Sequence, residues 1–364
     1  KKDSAPQALS TFFLRLDVAF VIISCHVSRA TMNEFELIEL LTKEATSTSR
    51  DLSLGVGDDC AIIRCGERDL LITTDTLIEG IHFKLSFFDP HTLGQRMLNA
   101  NISDIAAMGG TPRFFTVCVG LPSGFGIRRC RELYDGLYTA AKLFDMELIG
   151  GDTSASNQLM VTIAVVGECK PDTAIRRSGA RPDDPLFLTG RVGEAALGLA
   201  SLEQNLATPQ TASFIERYRL PQPRVAVGQA LLQCGLVTSM IDISDGLLAD
   251  VGHLASLSNT GYEILAAVIP RHKDFELVAS RLGFDPWQAL LAGGDDYELA
   301  FTVDHHRLDA FEEFLARRAS EPGLSITRIG TMVGNKECQR ALRGDGSVVF
   351  VSSQGYDHLG DWRE

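Results

Sequence analysis

Apolar residues in this chain come in two spacings. In 69–76 (DLLITTDT), 113–122 (RFFTVCVGLP), 146–151 (MELIGG) and 159–168 (LMVTIAVVGE) they crowd into short runs that predict strands. In 92–109 (TLGQRMLNANISDIAAMG) and 128–144 (RRCRELYDGLYTAAKLF) they return with helical spacing. These segments predict one complete mixed domain. The stretch 169–185 (CKPDTAIRRSGARPDDP) breaks both patterns with proline, charge and turn residues, which marks a domain boundary. Beyond it, 193–204 (GEAALGLASLEQ), 223–235 (PRVAVGQALLQCG) and 247–257 (LLADVGHLASL) predict helices, and 239–244 (SMIDIS), 262–269 (YEILAAVI), 297–303 (YELAFTV) and 325–332 (SITRIGTM) predict strands. The expected fold class is α+β: two mixed α/β domains, the first over 32–172 and the second over 173–364.

The opening of the chain stands apart. It starts at Lys1, and 32–41 (MNEFELIELL) reads as a natural start followed by a short amphipathic helix, so 1–31 is expected to be an upstream extension outside the fold. The apolar stretch 12–25 (FFLRLDVAFVIISC) is interrupted by Arg15 and Asp17 and is shorter than a membrane span. With 364 residues, 45% of them hydrophobic and 22% charged, the chain has room and composition for two buried cores. A formal net charge of −13 argues against a nucleic-acid partner and against an anionic membrane surface. Eight cysteines without a CxxC pair or a repeating interval signal neither a zinc ribbon nor a disulfide framework, and fit reduced thiols in a cytoplasm.

Aspartates recur where strands end or helices begin. Asp58 and Asp59 sit side by side in 55–63 (GVGDDCAII), Asp75 ends LLITTD, Asp104 lies in NISDIAAMGG, Asp152 in LIGGDTS, Asp242 and Asp245 in IDISDG, and Asp295 and Asp296 in GGDDYEL. Taken singly, each has an ordinary reading. Asp104 and Asp245 follow a serine and suit helix caps, and Asp58, Asp152 and Asp295 form Gly-Asp turns. Taken together they suggest one cleft, where carboxylates would repel one another unless divalent cations intervene. An all-oxygen donor set without histidine or cysteine clusters points to magnesium, manganese or calcium, and magnesium held this way commonly completes its shell with water and phosphate, so a nucleotide is the natural companion. The usual phosphate devices are absent: there is no GxxxxGK[ST] loop, no HRD and no DFG. Arg176 and Arg177 are the candidates for a direct phosphate contact.

In their order along the chain these motifs resemble the thiamine-monophosphate kinase family of the aminoimidazole-ribonucleotide synthetase-like superfamily. The match runs through NEFELI, GVGDDCAII, TTDTLIEGIHF, NISDIAAMGG, LIGGDTS, RRSGA, IDISDGLLADVGH and GGDDYELAFT to GYDH, and covers nearly everything after Thr31. The resemblance implies two domains of that superfamily's type, whose N-terminal sheets pair across a homodimer. It implies several magnesium ions held by Asp59, Thr73, Thr74, Asp75, Asp104, Asp152, Asp242 and Asp245, and ATP contacted by Gly151, Asp152, Arg177 and Ser244. His82, Asp295 and Tyr356 match residues that contact thiamine monophosphate, with Asp295 standing where some relatives carry glutamate. Asp58 has no ligand role in this scheme.

The activity implied is transfer of the ATP γ-phosphoryl group to the phosphate of thiamine monophosphate. That acceptor has a second pKa near 6 and is largely ionised at neutral pH, so a cluster of aspartates without a general base is the expected equipment. The alternatives are another ATP-dependent member of the superfamily, such as a selenophosphate synthetase or a purine-pathway cyclase, or a non-catalytic divalent-cation binder. The chain has no reactive cysteine in a glycine-rich N-terminal loop, as selenophosphate synthesis would need, and it ends GDWRE, without a cysteine tail of the hydrogenase-maturation kind.

Overall fold

A computed structural model describes residues 34–43, 45, 49–319, 324–353 and 355–356. The expected upstream extension and the last two residues of GYDH lie outside them. The first domain follows a short helix α1 (Glu34–Thr42) with strands β1 (Leu52–Leu54), β2 (Ala61–Cys65) and β3 (Arg68–Ile78), helix α2 (Pro90–Ala107), strand β4 (Thr111–Pro122), helix α3 (Ile127–Leu143) and strands β5 (Glu147–Ser156) and β6 (Met160–Cys169). Its six-stranded sheet has the order β1-β2-β3-β6-β4-β5. Helices α2 and α3 cover one face of this sheet only, and β6 accordingly alternates buried residues with exposed or half-buried ones along its length.

After the turn-rich segment 170–184 the second domain begins with β7 (Pro185–Thr189), α4 (Glu194–Glu203), α5 (Ala212–Arg219), α6 (Val225–Cys234) and β8 (Val237–Asp242). It continues with α7 (Leu247–Leu257), β9 (Gly261–Leu265), α8 (Phe275–Leu282), α9 (Pro286–Ala292), β10 (Leu299–Val303), α10 (Leu308–Arg318), β11 (Ile326–Val333) and β12 (Gln339–Leu342). The sheet order is β12-β9-β11-β7-β10-β8. Here both faces are covered. Leu186, Leu188 and Ile241 pack toward α4, α7, α8 and α9, while Phe187, Met240 and Phe301 pack toward α6 and α10. Strands β7 and β10 are therefore buried throughout, which explains their unbroken apolar sequences PLFLT and LAFTV.

Helix α2 joins the two domains. The Asp89 carboxylate accepts the Thr92 N–H at 2.9 Å and Pro90 opens the first turn, an arrangement that fixes where the helix starts. From Leu93 to Ala107 nearly every residue is buried, because β3 and β6 lie on one side, α3 on another and α6 of the second domain on a third. The approaches are close enough to demand glycine. A Cβ on Gly94 would sit 2.1 Å from the Leu133 carbonyl oxygen, one on Gly136 only 1.9 Å from that of His91, and one on Gly228 2.1 Å from that of Ala106.

These contacts make Gly136→Ala an informative substitution. The helix–helix crossing cannot accept the methyl group without separating α2 from α3, so the variant is expected to lose about 3 kcal/mol of stability. Urea denaturation followed by circular dichroism measures this, and an unchanged midpoint would contradict the backbone contact.

Candidate active site

A cleft of about 570 Å³ opens where α2 and β3 of the first domain face the β8–α7 and α9–β10 loops of the second. Asp59, Thr73, Thr74, Asp75, Asp104, Arg177, Asp242, Ser244, Asp245, His82, Asp295 and Tyr356 all line it. Gly151 and Asp152 do not. They lie on β5, and the register Thr76↔Thr162↔Cys118↔Asp152 puts Asp152 three strand spacings, about 14 Å, from β3. That register also gives Asp152 the face of Thr76, opposite to the face that bears Thr73 and Asp75. Asp152 is thus a strand residue and not a turn, and Gly151 is needed because a Cβ there would meet the Val117 carbonyl oxygen at 1.9 Å.

Three carboxylates from three distant segments meet at the cleft floor. Asp59 comes from the β1–β2 loop, Asp104 from the last turn of α2 and Asp242 from the end of β8, and each offers an oxygen within 4.8 Å of the others. Neighbours aim them: Thr73 Oγ1 donates to Asp104 Oδ2 at 2.6 Å, and Ser103 Oγ donates to Asp242 Oδ2 at 2.6 Å. The Asp75 N–H donates to Asn101 Oδ1 at 3.1 Å, which pins β3 to α2 beside the group. Asp104 lies at the far end of its helix from the N-terminus, so the capping alternative fails for it; Asp89 is the cap. The Thr74 hydroxyl donates to the Ile163 carbonyl and lies on the other side of the strand from Thr73.

The charge balance is unfavourable as it stands. Arg177 answers Asp59, with Nε and Nη2 donating to Oδ1 at 3.0 and 2.6 Å, while Asp59 Oδ2 is buried without a hydrogen-bond partner among the described residues. Burial first, and then the Asp59 charge, push the Asp242 pKa up to about 7; burial and the charges of Asp75, Asp242 and Asp59 push Asp104 well above the usual carboxylate range. An orphaned buried carboxylate oxygen within an oxygen-only donor set fits a hard divalent cation such as magnesium.

The acids around this group hold its loops. Asp58 accepts the Arg177 backbone N–H on both oxygens, at 3.2 and 3.1 Å, so it fastens the interdomain segment to the GDD turn; burial and Asp59 raise its pKa to about 6. Asp245 is not the cap of α7, because Gly246 holds that position. Asp250 Oδ2 accepts the N–H groups of Ser244, Asp245 and Gly246 at 3.1, 3.2 and 3.1 Å, which folds the loop around one buried oxygen. In GGDDYEL the three acids have three separate tasks. Asp295 faces the cleft, Asp296 accepts the Gly193 and Ala195 N–H groups at the start of α4, and Glu298 pairs with Arg217 and Arg224.

His82 Nδ1 accepts the Ile78 N–H at 3.0 Å, so its neutral ring carries the proton on Nε2. The Tyr356 N–H donates to the Asp245 carbonyl at 3.1 Å and sets the ring at the cleft mouth. Asp295 Oδ1 accepts Arg96 Nη2 at 2.7 Å and the Tyr297 hydroxyl at 3.1 Å. Arg96, Ser103, Asn101 and Asp250 are site residues that sequence reasoning misses. Arg96 looks like an ordinary polar position of an amphipathic helix, and the signal for Asp250 was only a second acid five residues after Asp245.

Comparison with known proteins gives consistent matches. The family model for AIR synthase related protein, N-terminal domain, matches residues 57–169, and the one for its C-terminal domain matches 181–342. The chain is 35% identical over 338 residues to the thiamine-monophosphate kinase of Bacillus subtilis, covering 90% of this chain and 100% of the relative. It is 39% identical over 333 residues to that of Escherichia coli K12, covering 90% and 98%. Among solved structures it resembles AaThiL complexed with AMPPCP and TMP, with a TM-score of 0.76 at 28% identity over 96% of this chain and 100% of that one. It also resembles thiamine-monophosphate kinase from Stenotrophomonas maltophilia, with a TM-score of 0.68 at 31% identity over 87% and 98%.

A carboxyl whose folded pKa lies above its unfolded value binds a proton more tightly in the folded state. Its cost to stability is absent below about pH 4, grows as pH rises and is complete above about pH 7 for Asp242. In chelator, Asp242→Asn is therefore expected to come within about 1 kcal/mol of the natural chain near pH 4 and to exceed it by up to about 4 kcal/mol at pH 8. Thermal unfolding of both proteins across that range measures the difference, and a difference that is constant or shrinks with pH would contradict the electrostatic account.

Proposed function

The chain belongs to the thiamine-monophosphate kinases of the AIR synthase related protein family, and from that membership we infer that it transfers the γ-phosphoryl group of ATP to thiamine monophosphate, giving thiamine diphosphate and ADP. The observation that carries this reading is the convergence of Asp59, Asp104 and Asp242 in the same cleft as His82, Asp295 and Tyr356. Magnesium belongs to the proposal: Asp59, Asp75, Asp104, Asp242 and Asp245, with Thr73 and Thr74 beside them, would hold it, and when bound it neutralises and aligns the phosphate oxygens of donor and acceptor.

The remaining steps fall to the chain's own groups. Arg177 and Ser244 are assigned to ATP; Arg177 already lies in the cleft against Asp59, where a guanidinium can trade a carboxylate for a phosphate without losing its geometry. The acceptor phosphate needs no base, since its second ionisation is largely complete at neutral pH. His82, Asp295 and Tyr356 are assigned to thiamine monophosphate. A surplus of carboxylate favours its cationic thiazolium ring, and the Tyr356 ring offers an aromatic face to the same charge.

The reading includes a homodimer in the cytoplasm. The sheet face left open by α2 and α3 carries Ile72, Phe114, Met160, Ala164 and Val166, none of them fully buried in one chain, which suits pairing with a second copy. Asp152 lies on that face and Gly151 is beside it on the same strand, so we assign their nucleotide contacts to the partner's cleft. The cytoplasmic part rests on free thiols at Cys60, Cys65, Cys118, Cys130, Cys169, Cys234 and Cys338.

Phosphorus NMR of the purified protein with thiamine monophosphate, ATP and magnesium tests the activity. Thiamine diphosphate and ADP are expected together and are expected to vanish in chelator; ATP loss without thiamine diphosphate contradicts the reading. The shared site has its own test. Asp152→Ala and Asp104→Asn are each expected to be inactive alone, and a refolded equimolar mixture is expected to recover about a quarter of the natural activity, because half the dimers then contain one intact composite site. No recovery on mixing contradicts a site shared between copies.

A further inference from the structure

Arg96 occupies a costly position. It lies on α2, only 2% exposed, in a core region that a leucine or methionine would fill without desolvating a charge. Its guanidinium carbon stacks 4.5 Å from the centre of the Tyr218 ring and 5.9 Å from that of Phe88. Nη1 donates to the Tyr218 carbonyl and Nη2 to Asp295 Oδ1 at 2.7 Å, while Nε has no partner among the described residues. Eight residues further on, about 12 Å along the same helix, is Asp104. A single rigid element of the first domain therefore carries both a member of the acidic group and the cation that grips a cleft residue of the second domain.

Asp295 is held unusually firmly for a loop residue. Its φ of 69° lies in the left-handed region, its N–H donates to the Ser244 carbonyl at 2.8 Å, and Gly294 before it has no room for a Cβ, which would meet that same carbonyl oxygen at 2.2 Å. With the backbone fixed, the direction of the carboxylate is set by its two donors, Arg96 and the Tyr297 hydroxyl. Both bind Oδ1. Oδ2 has no hydrogen-bond partner among the described residues, and Asp295 lines the cleft.

We propose that Arg96 is a positioning residue for substrate recognition: it holds Asp295 by one oxygen so that the other is presented to an N–H donor of thiamine monophosphate. The proposal rests on the kinase reading above. It assigns to α2 a task beyond packing and metal holding, since the orientation of a substrate-binding acid in the second domain depends on a cation from the first. It also accounts for a short aspartate at this place: the long guanidinium arm reaches to the loop, and the carboxylate need not extend toward it.

Steady-state kinetics of Arg96→Met, Arg96→Lys, Asp295→Asn and the Arg96→Met/Asp295→Asn pair, beside the natural chain, test this. Arg96→Met is expected to raise KM for thiamine monophosphate about tenfold with KM for ATP changed less than about twofold, and Arg96→Lys is expected to recover part of that loss. In the Asp295→Asn background Arg96→Met is expected to add less than about a further twofold, because both changes remove one contact. If Arg96→Met does not fold, Arg96→Lys alone carries the test, with the same selective rise in KM for thiamine monophosphate on a smaller scale. Equal rises in both KM values, or full multiplication of the two effects, overturn the proposal. An inactive natural chain removes the kinase reading and the proposal together; an active natural chain with unselective variants removes the proposal alone.

Discussion

Like charges sharing one cleft are the constraint on which the rest of this structure depends. Two carboxylates about 4 Å apart repel by about 4 kcal/mol at an effective dielectric constant of about 20, and here Asp59, Asp104 and Asp242 crowd together with Asp75 nearby. A fold that brings them together must tie each one down, supply some positive charge and leave the remainder for a ligand. The hydroxyls of Thr73 and Ser103 do the first, and Arg177 does the second for Asp59. The third is the property a kinase for a phosphorylated acceptor requires: a site whose own electrostatics are satisfied only when counterions and phosphates arrive.

The architecture makes sense as a way of enforcing that proximity. Helix α2 is buried over most of its length and is touched at backbone distance by α3 and α6, so Asp104 cannot retreat from its neighbours by moving the helix. Asp58 fastens the interdomain segment to the GDD turn, and Asp250 gathers the β8–α7 loop around one oxygen. Most of the acids that sequence motifs place together thus divide into those that face the cleft and those that build the loops presenting them. Asp295 and Asp296 show the division between adjacent residues, the first at the cleft and the second capping α4.

Much of this was legible before the structure. The long strands β3, β4 and β6 and helices α2, α3 and α7 stand out because their hydrophobic period is sustained for two turns or more, and the cleft aspartates stand out because glycine precedes them or an apolar strand ends at them. What was not legible follows from range. The five-residue strand β7 hides behind a proline-rich segment, β12, α5, α8 and α9 are short elements whose burial is decided by distant partners, and α10, though as long as α7, fully buries only Phe311 and so shows little apolar period. The Arg96–Asp295 pair joins residues 199 positions apart, and no local pattern reports it. The position of Asp152 depends on strand order, which puts β5 at the far edge of its sheet and off the cleft of its own chain. Sequence motifs gave its presence but could not give its side of the sheet.

Burial and mutual repulsion raise Asp104 and Asp242 above the usual carboxylate range, so a cation that binds between them is expected to displace protons. Isothermal titration of magnesium into the chelator-treated protein at pH 6.5, repeated in buffers of different ionisation enthalpy, measures proton release directly. The account predicts saturable binding with net proton release, lost when Asp104 and Asp242 are both changed to asparagine. Binding without proton release, or no binding that depends on these two residues, would contradict it.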